Sequence, residues 1–337
     1  MSRRAQPSLT VSRVTAVLAL LFLFVLAAAA LSAAFGEYPV SLRTALLNPN
    51  SPDGTVLYSL RLPRAVLGAL VGAALAVSGS ALQGLLRNPL AEPFVLGVSG
   101  GAALGATLAI TVGLGELSWV GGPSLCAFLG SVLATALVFA AARRKGAAAS
   151  QAALLTGVIF NAFAAAAITC VKTLSAPDKV GEILYWLAGT LGYERPRTLA
   201  YSAVLILGSI AVLLWESPRL NLLVLGDDEA ASLGVDVART RAVVLLANSL
   251  AVAAAVALSG LIGFVGLIVP HVLRLWLGPD QRLLLPASAL GGAAFLMLSD
   301  LLTRLVFPVF HAEPPVGVVT AVLGGPLFLW LLNRRRA

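Results

Sequence analysis

Charge is scarce in this chain. Only 11% of its 337 residues are Asp, Glu, Lys or Arg, while 59% are hydrophobic and the mean hydropathy is +0.94. Soluble domains carry about 25% charged residues, so a water-soluble fold is excluded and the chain reads as an integral membrane protein. Cysteine is almost missing too. Cys126 and Cys170 each sit in an apolar run without a neighbouring His or Cys, which gives neither a metal spacing nor a reason for a disulfide, so both read as packing residues. No G-x-x-x-x-G-K-[ST] loop occurs, so the chain is not a P-loop ATPase. Acidic residues cluster at one place, Asp227, Asp228 and Glu229. An intramembrane Mg-dependent prenyl-transfer enzyme would need a second facing cluster, and Glu92 and Asp280 are isolated. An ion-coupled secondary transporter would need a buried acid at mid-membrane, for which Asp300, near the end of its segment, is the one candidate.

What the chain has in abundance is apolar length. A helix needs about 20 apolar residues to cross a bilayer core, and segments 14–35, 62–86, 93–113, 118–142, 151–174, 198–215, 241–261, 263–277, 283–306 and 315–333 qualify or nearly qualify. The expectation is an all-α membrane protein of about ten transmembrane helices, one domain over 1–337. The first run follows Arg3, Arg4 and Arg13 as a signal peptide would, but it exceeds the usual apolar core of about 7 to 15 residues and reads as an uncleaved helix. With the N-terminus inside and ten crossings, fifteen basic residues fall on the cytoplasmic side and eight outside. Both termini, tails 1–13 and 334–337, are then cytoplasmic. The net charge of +8 lies in clusters flanking the spans rather than on a soluble face, so no nucleic-acid partner is expected.

Two stretches interrupt the apolar pattern. Residues 79–106 place Arg87, Asn88, Pro89, Glu92 and Pro93 between apolar runs, and residues 259–278 repeat the disruption with glycines and Pro270. Irregular backbone at membrane depth survives only inside protein or along a water-filled path, and a pair of such breaks suggests two pseudo-symmetric halves around a route. Tight interhelical turns are the alternative. A third feature, 216–240, holds a short amphipathic helix in a cytoplasmic loop, with the acids at its positive end after Gly226 and Gly234 closing it. It can rest on lipid or fit a partner's groove.

Four stretches, 61–105 from "RLPRAVLGAL" to "VSGGAALG", "LGDDEAASLGVDV", "SGLIGFVGLIVPHVLRLWLG" and "PPVGVVTAVLGGPLFLWLL", together resemble the permease subunits of binding-protein-dependent ABC importers for iron-siderophores, cobalamin and heme. The resemblance runs from about Arg61 to Leu332. It implies the type II importer permease fold, a homodimer with the pathway between subunits, two copies of a cytoplasmic ATP-binding subunit, and a periplasmic substrate-binding protein. It implies a transport subunit without catalytic residues, cofactor or resident metal, in the cell inner membrane. Asn88, Pro89 and Leu90 match one cytoplasmic gate, and Ser150 and Gln151 align with the other, where this chain is richer in Ala. Leu225, Gly226, Asp227, Asp228, Leu233 and Gly234 match the helices that couple to the ATPase. Arg61, Arg64 and Arg304 match basic residues that receive glutamates of the binding protein, although Arg304 is also spaced to pair with Asp300 on one helix face. An iron-siderophore leads as cargo, with cobalamin and heme close behind. His271 lies in a stretch shared across cargos and reads as structural, which leaves His311 as the histidine placed to touch cargo.

Overall fold

The computed structural model describes residues 10–114, 121–143 and 149–334, and within them every regular element is helical. Helix α1 (Val11–Ala34) begins at Thr10, whose hydroxyl accepts the Arg13 amide, and Arg13 donates to the Leu277 carbonyl at 3.2 Å. The start of α1 therefore lies beside Leu277, the end of a helix late in the chain, and this end is the N-terminal end of the bundle. At the opposite end come α2 (Leu42–Leu47) and α3 (Pro52–Thr55), and α3 passes through a π-helical turn, 56–61, directly into α4 (Leu62–Leu85). The continuous helix Pro52–Leu85 has 34 residues. At 1.5 Å per residue it spans about 50 Å against a hydrocarbon core of about 30 Å, so its first turns stand clear of the apolar layer.

The remaining order is α5 (Val98–Val112), α6 (Gly122–Arg143), α7 (Ala149–Leu174), α8 (Pro177–Leu187), α9 (Pro196–Trp215), α10 (Ser217–Leu225), α11 (Asp227–Ser232), α12 (Val237–Ser259), α13 (Val265–Leu277), α14 (Gln281–Phe310) and α15 (Val316–Arg334). Among the described residues, seven helices are long and apolar enough to cross a membrane. Shorter apolar helices at Val98–Val112, Val265–Leu277 and Val316–Phe328 supply the other three of the ten anticipated. Two of these short helices follow the two interruptions. With 15 and 13 residues, α5 and α13 reach only about 20 Å; a 3-10 turn at Pro93–Leu96 leads into α5, and irregular backbone at 260–264 leads into α13.

Helices α4 and α12 form the centre and are buried along most of their length. The pairing repeats around them: α14 packs on α4 as α6 packs on α12, and α13 lies against α14 as α5 lies against α6. That repetition is the two-halved arrangement the paired breaks suggested. Helices α1 and α7 expose most of their apolar surface, including Phe22, Leu155 and Phe163, a surface suited to lipid or to another chain and not to water.

Candidate functional site

Helix α4 ends in a Schellman motif at the N-terminal end of the bundle. The Asn88 amide donates to the Gln83 carbonyl (3.2 Å) and the Arg87 amide to that of Gly84 (3.3 Å), with Arg87 left-handed at φ 50. Glycine is the usual occupant of that position, and a non-glycine residue there costs about 1–2 kcal/mol. The turn that follows is stiff. Asn88 Oδ1 accepts the Leu90 amide (2.9 Å), the Ala91 amide donates to the Asn88 carbonyl (3.1 Å), and Pro89 fixes φ between them. Asn88 and Leu90 are exposed at the tip.

Glu92 then joins the two interruptions. Its Oε1 accepts the amide of Phe264 (3.0 Å), the left-handed residue (φ 69) that starts α13. Asn161 of α7 latches the same strip: its amide donates to the Phe94 carbonyl (2.9 Å) while its Oδ1 accepts the Gly100 amide (3.1 Å). Ser150 and Gln151 lie in the first turn of α7, and their side chains are outside the described residues.

The acidic loop lies beside the same turn. Arg87 Nε donates to the Leu223 carbonyl of α10 (2.8 Å), and the Arg87 guanidinium pairs with Asp227, the first residue of α11. Arg241 of α12 meets the same Asp227 oxygen at 2.7 Å. Gly234 closes α11 at φ 86, donating to the Ala231 carbonyl (3.0 Å), while Val235 donates to that of Ala230 (3.0 Å) and both apolar partners are buried. Leu225 and Leu233 point outward, 64% and 59% exposed. Asn221 ties α10 to α14, donating to Asp280 (2.7 Å) and accepting the Gln281 amide (2.8 Å). Burial alone would raise the Asp280 carboxyl, but hydrogen bonds from Arg282 and Asn221 outweigh it and hold it below the usual carboxylate range.

At the opposite end two of the three arginines matched to docking turn inward. Arg61 and Arg304 are 5% and 4% exposed and turn into their own chain. Arg61 donates to the carbonyls of Ala33 (2.7 Å), Ala34 (2.9 Å) and Tyr38, and Arg304 to Ser32 Oγ and the carbonyls of Ser32 (3.1 Å) and Phe35 (3.3 Å). The carbonyls of Ser32, Ala33, Ala34 and Phe35 are those left without a helical partner at the end of α1, whose last turn holds no basic residue of its own, and Tyr38 lies just beyond it. The Arg304–Asp300 pair is present at 3.2 Å. Arg64 binds Asp300 and Glu313, each at 2.9 Å, and alone of the three keeps a partly exposed side chain, 23%. It borders a pocket of about 140 Å³ with Tyr193 and Glu194, where burial pushes the Glu194 carboxyl up to about 7 against the pull of Arg195.

His271 is buried edge-on against the Phe328 ring, 6.0 Å between centroids, and His311 is exposed where α14 ends at φ 52. Among the described residues no group of three or more His, Cys, Asp or Glu is placed to hold a metal. Asn161 and Gln83 were not singled out from sequence, although a lone polar residue within an apolar helix is the signal that finds them.

Seven helices long and apolar enough to span a membrane, three shorter apolar ones and two breaks joined inside the bundle give the described residues the architecture of a multi-pass membrane protein, of the kind transport permeases use. The chain belongs to the FecCD transport family, which it matches over residues 14–334. It is 40% identical to the hemin transport system permease protein HmuU of Yersinia pestis across 100% of this chain and 98% of that protein. Identity is 43% to the cobalamin import system permease protein BtuC of Halobacterium salinarum, over 83% of this chain and 74% of that one. A metal-chelate type ABC transporter solved in an inward-facing conformation superposes with a TM-score of 0.85 at 34% identity, covering 95% and 99% of the two chains. The chain is therefore an ABC importer permease, a transport subunit in its family's manner.

Proposed function

We propose that this chain is the membrane-spanning subunit of an importer that moves a metal chelate from periplasm to cytoplasm while a separate ATP-binding subunit supplies the work. The observation that carries the reading is the direct contact that Arg87, the residue leading into the stiff Asn88–Leu90 turn, makes with α10 and α11 at one end of the bundle. That end is the cytoplasmic one, where both termini lie, in the cell inner membrane. Asn88, Pro89 and Leu90, with Ser150 and Gln151 at the start of α7, form the cytoplasmic gate. Leu225 and Leu233 present apolar anchors to a groove on the ATPase, and Gly226, Asp227, Asp228 and Gly234 set the geometry of that coupling surface. Two copies of the chain pair around the pathway, each served by one ATP-binding subunit. The binding protein docks at the opposite end. There Arg64 is the contact, and Arg61 and Arg304 hold the ledge beneath it.

The relatives named for hemin and for cobalamin both carry a metal in a tetrapyrrole ring, which moves such a cargo ahead of an iron-siderophore. A prenyl-transfer reading fares worse, because two arginines already occupy the carboxylate that would bind Mg²⁺. Reconstitution with the ATP-binding and substrate-binding partners tests the proposal, using hemin, cyanocobalamin and a ferric siderophore in turn. ATP-dependent accumulation of one chelate in liposomes is expected. Accumulation driven by this chain alone would overturn it.

Gly234→Val tests the coupling surface. A β-branched residue at φ 86 strains the α11 exit by about 1–2 kcal/mol although no atom stands within 4 Å of an added Cβ. Uptake and ATPase stimulation should fall together by about tenfold, a 1.4 kcal/mol effect, while the detergent-purified permease still folds and melts only a few degrees below wild type. Unchanged stimulation would remove this loop from the coupling surface.

A further inference from the structure

Arg87 occupies a backbone position that favours glycine, and its own turn makes no use of its side chain. The guanidinium instead crosses 136 residues of sequence to the Leu223 carbonyl and 140 to the Asp227 carboxylate. Leu223 is buried in α10 and its carbonyl belongs to the negative end of that helix, so the cation also complements the α10 dipole. Asp227 follows Gly226, whose φ of 152 and ψ of 160 lie in a region open essentially to glycine and set the start of α11 beside the turn. From the other side Arg241, on the central helix α12, binds the same carboxylate oxygen. One carboxylate thus joins the turn after α4, the α10–α11 junction and α12.

The pairs themselves are half in solvent, with Arg87 and Asp227 side chains 41% and 39% exposed. Ion pairs of that exposure contribute little to folding. Their value is positional: they fix the distance between the turn after α4 and the α10–α11 junction. The short, stiff turn from Arg87 to Ala91 then moves as a body when its one end is drawn.

We propose that Arg87 and Asp227 are positioning residues forming the tie through which α10 and α11 move the Asn88–Leu90 turn, with Arg241 keeping α11 in register on α12. This rests on the gate and coupling roles given above. An ATPase that draws α11 shifts the carboxylate, and the guanidinium clamped to it carries the turn along. Without the tie, nucleotide turnover continues to move α11 but the turn follows poorly.

The separating variant is Arg87→Gly. Glycine suits the left-handed position better than arginine, so a purely structural role predicts a permease at least as stable and fully active. The tie predicts that the full complex with its ATP-binding and substrate-binding partners, assayed in liposomes with hemin, cyanocobalamin and a ferric siderophore, takes up about 5- to 10-fold less chelate per ATP hydrolysed, within the usual range of coupling. Its melting temperature should not fall. Asp227→Asn, which also loosens the Arg241 pair, should lower the same ratio at least as far, and the double variant should lose no more than Asp227→Asn alone within about twofold, because that change has already broken the contact Arg87→Gly removes. An unchanged uptake-to-ATP ratio in Arg87→Gly, or losses that multiply in the double variant, would overturn the tie while normal wild-type uptake leaves the importer reading intact. Failure of the wild-type complex to import any of the three chelates would overturn that reading, and the tie with it.

Discussion

Replacing Asp300 by alanine is expected to destabilise the folded permease by about 3–5 kcal/mol, the usual cost of removing one partner from a buried ion pair. The carboxylate is 2% exposed and faces two guanidiniums, Arg64 at 2.9 Å and Arg304 at 3.2 Å. Without it two cations share a nearly dry site with only Glu313 to answer them, and Glu313 reaches Arg64 alone. The damage then spreads to α1. That helix exposes most of its surface, and Arg61 and Arg304 hold its last carbonyls, so a displaced Arg304 frees its end. Thermal unfolding of the purified chain in detergent, with no partner added, reads this directly. Arg64→Ala, which removes a partly exposed cation, should cost clearly less. A melting temperature for Asp300→Ala equal to wild type would show that the cluster does not hold α1, and would return these arginines to a role in docking.

The spans were legible because lipid leaves the backbone so few options. A run of about 20 apolar residues has to become a helix, and expectations such as 62–86 and 263–277 lie within two residues of helices that end at Leu85 and start at Val265. The start of the α4 helix at Pro52 was missed, since "PDGTVLYSLR" is polar enough to pass for a loop and a π turn carries it into the span. Helix α8 was missed because eleven amphipathic residues do not register as a crossing. At the site, caps were readable: Gly226, the acids after it and Gly234 describe a helix start and stop in local terms. The reach of Arg61 to Ala33 was not, because a backbone carbonyl has no signature in sequence. The sign of its charge on a depleted side announced that the arginine had a task; the orphan carbonyls of α1 supplied a different task from the expected one.

Gly79→Ala should be among the most damaging single-methyl changes in the chain, because α4 and α13 meet there backbone to backbone. A Cβ on Gly79 would fall onto the carbonyl of Gly266, with no side chain between them to yield. Neither helix is free to move. About two turns earlier, a Cβ on Gly72 of α4 would likewise fall onto the Gly292 carbonyl of α14, and a turn after Gly79, Gln83 donates to the carbonyls of Gly266 (3.3 Å) and Leu267 (3.4 Å). Pushing α13 away therefore breaks the Gln83 bonds and strains the Glu92–Phe264 link that starts the helix. Overpacking of a close crossing costs about 1–3 kcal/mol, and Gly79→Val should exceed that and yield little folded protein. Gly208 provides the contrast. It lies on the exposed face of α9 with no atom within 4 Å of an added Cβ, so Gly208→Ala should gain up to about 1 kcal/mol from helix propensity alone. The same methyl group then has opposite signs at two glycines of equally apolar helices, and detergent melting curves of the two variants decide it. A Gly79→Ala protein as stable as Gly208→Ala would mean that α4 and α13 do not cross at Gly79 and Gly266, and that the second interruption is not packed against the first.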